Sequence, residues 1–462
     1  MTDVAFSRRL HEKYDAALPR YTSYPTAPHF HPGFGPEAYA QAAGETNEDP
    51  LPRALSLYVH VPFCQSLCYY CACNKIITRR TEKAEIYLNY LERELTLQAA
   101  LFDDDRPVRQ LHLGGGTPTY LYDDQLRWLI DAIGERFHLA PWREREFSVE
   151  VDPRAVGERT IPVLAELGFD RLSIGVQDFD TQVQEAVNRV QSAAQVRAVI
   201  EQSRASGFRS VSLDLIYGLP FQSRESFSAT LDEVLDLRPD RLSIYSYAHL
   251  PGRVKAQRLI REEDLPTPAE KLSILEMTIE RLTAGGYRYI GMDHFALPDS
   301  ELSRALDEGT LQRNFQGYST HADCDLIGLG VSAIGKVGDS YAQNERGLKE
   351  YYAALNRGQL PVARGYTLSD DDRLRRQVIE QIMCREWVPY SPIERAFGID
   401  FRRYFAPELA CLEPLTADEL VEPTGEGLCI LPAGRLLRRN IAATFDRYLA
   451  QAAEVVRYSR SI

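Results

Sequence analysis

Between residue 54 and about residue 250, short apolar runs alternate with longer amphipathic ones. The short runs SLYVHV (56–61), QLHL (110–113), FSVEV (147–151), RLSIGV (171–176), SVSLDLIY (210–217) and RLSIYSY (241–247) predict strands. Between them lie EKAEIYLNYLERELTLQAALF, DDQLRWLIDAIGERF, IPVLAELGF, QVRAVIEQSRASGF and ESFSATLDEVLDL, in which apolar residues recur three and four positions apart, the spacing of one helix face. Several of these end in Gly before the next strand, as helix C-termini do. Repeated strand and helix units predict an α/β fold, a parallel sheet with helical crossovers closed or partly closed as a barrel. Six units make a partial (β/α)6 TIM-like barrel, two short of the eight-fold form.

The flanks read differently. Residues 1–53 are loop-rich, with PRYTSYPTAPHFHPGFGP placing aromatic rings among prolines, and are expected to form a covering segment or lid. The barrel and its extension are expected over 54–360, with a helix at PAEKLSILEMTIERLTAGG, a strand at YRYIGM and a loop-rich region around RNFQGYSTHADCDLIGLGVSAIG. A C-terminal helical domain is expected over 361–462, where a helix, the Gly-containing hairpin EPTGEGLCIL and a further helix suggest a winged-helix arrangement. No internal repeat or low-complexity tract is present.

Composition narrows the function classes. The 462 residues are 44% hydrophobic and 26% charged, with no apolar run of membrane-spanning length and no secretory signal in MTDVAFSRRLHEKYD, so a cytoplasmic protein is expected. A net charge of −13 argues against a nucleic-acid binder, and the short basic patch RLLRRN does not reverse that. Nothing calls for more than a monomer.

Chemistry concentrates where the predicted strands end. CQSLCYYCAC follows the first strand, GGGTPTY the second, EVDP the third, GVQDF the fourth, LIYGLP the fifth and YAHLP the sixth, which points to one shared site at the C-terminal mouth of the barrel. CQSLCYYCAC holds four of the eight cysteines within ten positions, and the next is Cys324. For Cys324, Cys384, Cys411 and Cys429 a small buried hydrophobe is expected. In a reducing compartment such a cluster means metal or catalysis rather than disulfides. Structural zinc sites draw ligand pairs from separated turns, whereas an iron-sulfur cube takes each sulfur at a different corner and accepts three ligands from one loop. The spacing of Cys64, Cys68 and Cys71 suits the cube better.

Those three cysteines carry the CxxxCxxC signature, and the chain thereby resembles the radical S-adenosylmethionine (SAM) superfamily. PRYTSYPTA, LSLYVHVPFC, the extra Cys73, LHLGGGTPTYL, EVDPR, RLSIGVQDF, DLIYGLP, YAHLP, IGMDHFA and RNFQGYST occur in one order over nearly the whole length, and with them the chain is similar to the oxygen-independent coproporphyrinogen III oxidase (dehydrogenase) family. The resemblance implies oxidative decarboxylation of two propionates of coproporphyrinogen III to vinyl groups, giving protoporphyrinogen IX in haem biosynthesis. A propionate β-carbon has no acidic hydrogen for a general base to remove, so a radical must do so; the implied one is the 5'-deoxyadenosyl radical made from SAM at a [4Fe-4S] cluster.

The resemblance also implies roles. Cys64, Cys68 and Cys71 would hold the cluster, and Tyr58 would lie against the first SAM. Gly114, Gly115 and Gly116 let a ligand approach the backbone; Gly115 matches the first SAM, Gly116 and Thr117 a second. Glu150 would bind SAM polar groups, Gln177, Arg189, Asp214 and Ala248 the second SAM, and Ile334 the first. Tyr70 stands where a close relative has phenylalanine. Phe315 and Gln316 match positions linked to function. His60 and His294 read more simply as structural histidines, and Cys73 as a thiol buried beside the cluster. Arg20 is a guess for the substrate carboxylates. A low-potential electron donor such as a flavodoxin or ferredoxin is implied. Two readings share the cluster: a haem-transferring chaperone, whose branch usually lacks PRYTSYPTA, the added cysteine and RNFQGYST, and a radical SAM methyltransferase that opens a tetrapyrrole ring.

Overall fold

A computed structural model describes residues 4–321 and 324–449. At its centre six parallel strands pair in chain order: β1 (Leu55–Val61), β2 (Val108–Gly115), β3 (Glu146–Val151), β4 (Arg171–Gln177), β5 (Ser210–Tyr217) and β6 (Arg241–Ser246). Helices Glu82–Ala99, Asp123–Gly134, Thr160–Glu166, Ala193–Ala205 and Arg224–Leu237 make the crossovers the periodicity predicts. Ser192 and Ser223 cap the last two by accepting from backbone amides of the first turn.

Alternation along these strands sorts the side chains. Leu57, Val59, Leu111, Leu113, Val149, Ile174, Leu213 and Leu242 are fully buried in the core that the helices cover, each contributing roughly 1.5–3 kcal/mol by leaving water. The intervening residues, among them Ser56, Gln110, Ser148, Ser173, Ser212 and Ser243, line a lumen of 160 Å3. Eight-stranded barrels fill this space with branched apolar side chains; here it is polar.

The stretch around RNFQGYSTHADCDLIGLGVSAIG, expected as loop, is largely sheet. β7 (Asp325–Leu329) runs parallel to β1 on the side away from β2, and Ile334–Val337, Ser340–Asn344 and Val362–Thr367 continue antiparallel from it. Arg288–Gly291 and His294–Ala296 extend the opposite edge, so the sheet has twelve strands. DLIGL is buried along its whole length, so it lacks period-two alternation, and its glycine reads as a break. That glycine serves a close approach: a Cβ on Gly328 would stand 2.7 Å from the Ile334 carbonyl carbon.

The first 53 residues also hold more regular structure than expected, with helices Arg8–Tyr14 and Pro36–Asn47. Tyr39 and Ala43 of the second helix join the main core, whereas Leu10, Tyr21 and Tyr24 pack into a second core with Val378, Ile382, Phe401 and Phe445. That second core belongs to the C-terminal region, where helix Asp370–Cys384, the hairpin Val421–Pro423 and Gly427–Ile430, and helix Arg438–Ala443 match the expected pattern, with Trp387–Pro389 as an added third strand. Asp418 ties the two ends together by accepting from Arg9, Lys13 and Tyr14. Among the described residues no helix is long and apolar enough to cross a membrane.

Candidate active site

The cysteine loop leaves β1 and wraps a cavity of 410 Å3 at the C-terminal mouth of the barrel. Cys64, Cys68, Tyr70, Cys71, Gly115, Gly116, Thr117, Glu150, Gln177, Arg189 and Asp214 all line it, contributed by the loop, by the ends of β2 to β4, by the middle of β5 and, for Arg189, by the segment after helix Thr181–Ala186. Cys73 lines it too and is exposed, not buried as its sequence context suggested. Cys411 is likewise exposed, whereas Cys324 and Cys384 are buried.

Cationic groups and a hydroxyl stand beside the thiols. Arg154 Nη2 and Arg189 Nη1 lie 3.4 and 3.5 Å from Cys68 Sγ, and Thr117 Oγ1 lies 3.5 Å from Cys64 Sγ. A hydrogen bond from Cys73, outweighing burial and aided by the Lys75 ammonium, brings Cys71 down to about 6. Burial raises Cys64 to about 11, a value that a bound cation would reverse. Among the described residues no three His, Cys, Asp or Glu side chains converge as ligands of one ion would. Cys64, Cys68 and Cys71 nevertheless all line the one cavity.

The loop is fastened to the barrel from two sides. His60 Nε2 lies 2.8 Å from the Asn74 carbonyl oxygen and its Nδ1 lies 3.1 Å from the Tyr58 hydroxyl. Burial lowers the His60 pKa and raises that of Tyr58, so a neutral imidazole donates through Nε2 and accepts through Nδ1. Tyr58 stacks on His112 with ring centres 5.7 Å apart. On the other side Gln257, fully buried, donates from Nε2 to the carbonyls of Tyr70 and Ala248 at 3.0 and 3.1 Å and accepts from the Leu250 amide. No motif surrounds Gln257 in the sequence, and its role is visible only in three dimensions.

The glycine turn after β2 is shaped by contact. Gly115 has φ +113°, and a Cβ there would lie 2.7 Å from the His60 ring; on Gly116 it would meet the Phe63 oxygen and the Pro62 carbonyl carbon at 2.7 Å. Glu150 accepts from the Gly115 amide at 3.2 Å and lies 3.1 Å from His112 Nε2. Burial pushes the Glu150 carboxyl up, but His112 and the Gly115 amide together hold it below its ordinary value. Asp214, accepting from Ser173 at 2.9 Å, is pushed up to about 6 by burial and by the charge of Glu150. Gln177 ends β4 at a bulge with φ 73°, a left-handed geometry of the kind found at functional sites.

Arg189 is not a surface arginine. It is buried, pairs with Asp152 at 3.0 Å, donates to the Gly175 carbonyl, and keeps an Nε without a partner among the described residues. Asp152 also takes Arg154 in a two-pronged pair. These two acid and base partners stand in the EVDPR segment, so the signal for them was present in the motif.

The remaining candidates lie further out. Gln316 lines the lumen, which Glu150, Asp214 and Tyr245 share with the cysteine cavity. Phe315 meets Tyr341 edge-on at 6.0 Å in a 40 Å3 cavity that adjoins the lumen. Ile334 packs beside Gly328, the residue paired with Tyr58, outside the cysteine cavity. Ala248 lines a separate cavity of 510 Å3 beyond β6. His294 lines the lumen with Nδ1 buried and without a partner among the described residues, so it is not the satisfied histidine expected.

Comparison with known proteins agrees with this geometry. Residues 58–234 match the model of the radical SAM superfamily and residues 368–437 that of the HemN C-terminal domain. The chain is 49% identical over 446 residues to an oxygen-independent coproporphyrinogen III oxidase of Pseudomonas aeruginosa, covering 96% of each, and 49% identical to that of Escherichia coli, covering 98% of this chain and 97% of the other. The solved Escherichia coli coproporphyrinogen III oxidase (HemN), a radical SAM enzyme, superposes with a TM-score of 0.91 at 47% identity over 97% of this chain and 100% of that one. The chain belongs to the radical SAM superfamily and, within it, to the oxygen-independent coproporphyrinogen III oxidase family.

Proposed function

We propose that the cavity ringed by Cys64, Cys68 and Cys71 is the active site of a coproporphyrinogen III oxidase, a radical SAM oxidoreductase of haem biosynthesis. The observation that carries this reading is the opening of all three thiols into the same space as Glu150, Gln177, Arg189 and Asp214. The residues fit the family's cofactors, a [4Fe-4S] cluster and two SAM molecules. The three thiols have cationic neighbours, the Gly115 and Gly116 cradle excludes a Cβ, and the Arg189 Nε lacks a partner among the described residues. When bound, cluster and SAM supply a 5'-deoxyadenosyl radical able to take hydrogen from the unactivated β-carbon of a propionate.

The chain's own residues do the positioning. His60 and Gln257 fix the cysteine loop. Glu150 and Asp214 present carboxylates to the SAM amino and ribose groups, and Arg189 a guanidinium to its carboxylate. Tyr58 faces the first SAM, with Gly115 on that side; Gly116, Thr117 and Gln177 serve the second, and Tyr70 contributes through the loop backbone, whereas Ile334 and Ala248 lie outside the cysteine cavity and are assigned no role there. Phe315 and Gln316 bound the substrate side of the lumen. The N-terminal segment, whose Thr22 borders the cavity beside the lumen and whose Arg20 lies over Tyr245, is the candidate cover that would exclude solvent from the radical. A monomer in the cytoplasm fed by a flavodoxin or ferredoxin completes the reading, in keeping with eight free cysteines.

The test is anaerobic reconstitution with iron and sulfide, followed by incubation with a strong reductant, SAM and coproporphyrinogen III. Two successive carboxyl losses accompanied by 5'-deoxyadenosine are expected. Bound haem without decarboxylation would favour a chaperone, and methyl transfer with ring opening the methyltransferase. Removal of residues 1–30 should abolish turnover if that segment is the cover.

A further inference from the structure

Beyond β6, on the flank where the N-terminal segment meets the C-terminal region, lies the 510 Å3 cavity lined by Arg20, Arg439, Lys271, Asp293, Tyr217 and Ala248, among others. Its size is that of a pocket for a drug-sized ligand. Two guanidinium groups, of Arg20 and Arg439, line it, and a third, of Arg313, lies behind the Arg20 backbone. Arg439 donates to the carbonyls of Leu18 and Pro19, and Arg313 Nε donates to the Arg20 carbonyl at 3.3 Å. Arg439 and Arg313 are thus buried behind the backbone that carries Arg20. One Arg313 nitrogen, Nη1, has no partner among the described residues. Burial and repulsion from Arg313 and Arg439 lower Arg20 to about 10. Asp293 already pairs with Arg20, Asp15 acts on Arg439 and Glu262 lines the cavity, so an arriving carboxylate would share this charge with them.

Arg20 is the member that a ligand can reach: its side chain is 33% exposed and is paired with Asp293. It also lies 5.6 Å above the ring of Tyr245, which lines the cysteine cavity and the lumen. The contact between Arg20 and Tyr245 therefore separates the flank cavity from the cysteine cavity.

We propose that the flank cavity seats the propionates of the tetrapyrrole that do not react, with Arg20 gripping a carboxylate and Arg439 and Lys271 supplying further positive charge. This rests on the reading of the substrate given above. Two of the four propionates survive both decarboxylations, so an anchor for them holds the macrocycle while each reacting chain is brought to the cysteine cavity. Asp293 holds Arg20 until the substrate carboxylate replaces it.

The proposal predicts opposite responses from the two partners of one ion pair. In enzyme whose iron and sulfide content matches the parent, Arg20→Gln should raise the KM for coproporphyrinogen III roughly tenfold to a hundredfold, with kcat changed far less. Arg20→Lys should recover part of that loss. Asp293→Asn should lower KM or leave it unchanged, because it removes a competing carboxylate. A KM unchanged in Arg20→Gln, or raised alike in both variants as a merely structural ion pair would require, overturns the proposal. Titration of the iron-loaded protein with coproporphyrin III, which bears the same four propionates, tests the grip without turnover: Arg20→Gln should weaken it by the same factor and leave binding of the tetramethyl ester unchanged. If the parent binds coproporphyrin III in this Arg20-dependent way but never decarboxylates the porphyrinogen, the oxidase reading fails and the anion seat stands.

Discussion

The ring of His60 reaches the backbone of Asn74 at 2.8 Å, so the first strand of the barrel holds the far end of the loop that carries the cysteines. His60→Ala would strand both the Asn74 carbonyl and the Tyr58 hydroxyl. Each such orphaned group costs about 1–3 kcal/mol where water cannot replace the partner. The loop should open more often, and cluster absorbance in reconstituted enzyme should bleach faster under a chelator than in the parent. Equal bleaching rates would show that the bond does not restrain the loop.

Gly116 and Gly44 should respond to alanine in opposite directions. A Cβ on Gly116 would meet backbone atoms of Pro62 and Phe63 at 2.7 Å, and no side chain can swing aside to admit it. Gly116→Ala should lose at least about 1–3 kcal/mol and disturb the cradle. Gly44, inside helix Pro36–Asn47, has nothing within 4 Å of its Cβ position. Gly44→Ala should gain about 0.5–1 kcal/mol. Thermal unfolding of both variants, read at equal protein concentration, decides the sign.

Gln257 spans two chain segments that the sequence separates by nearly two hundred residues, the carbonyls of Tyr70 and Ala248. Replacing it by Leu keeps its bulk and removes all three hydrogen bonds. Hydrogen exchange should then speed up in residues 64–74 and around 248–250 together, since one clamp protects both. Faster exchange at only one of them would mean that the segments are held independently.

Glu94 gives the fold a pH dependence unrelated to the active site. Its carboxyl accepts from the Gly330 amide at 2.7 Å, from Asn344 at 2.6 Å and from Tyr351 at 2.5 Å, yet burial outweighs these and pushes it from 4.5 to about 7. The unfolded chain releases this proton near 4.5 while the folded protein keeps it to about 7. Across that window the native state binds more protons, so Glu94 makes the protein less stable as pH rises. Denaturant midpoints measured from pH 5 to pH 8 should fall more steeply in the parent than in Glu94→Gln.

Much of the barrel was legible because β1 to β6 alternate. In SLYVHV, Leu57 and Val59 face the helices while Tyr58 and His60 face inward, and the same period recurs in each strand. β7 was not legible for the complementary reason: every residue of Asp325–Leu329 is buried, so no polar beat marks it as a strand. At the site, residues on strand ends and in short motifs were found from spacing and family resemblance. Gln257 was not, because a side chain that bridges two loops leaves no pattern in either. Arg20, Arg313 and Arg439 each stand in a stretch the sequence singles out, PRYTSYPTA, RNFQGYST and RLLRRN, but only the tertiary fold brings the three together.

The serine-lined lumen has a consequence for how this protein can change. In a filled barrel every inward side chain is also a structural brick, and altering the chemistry puts the fold at risk. Here the outward faces of β1 to β6 carry the hydrophobic load, and the inward faces are relieved of it. An inward serine replaced by alanine or asparagine alters the solvent and charge around a ligand without unseating a helix. Architecture and reactivity are written on alternate residues of the same strands, and each can drift without dragging the other along.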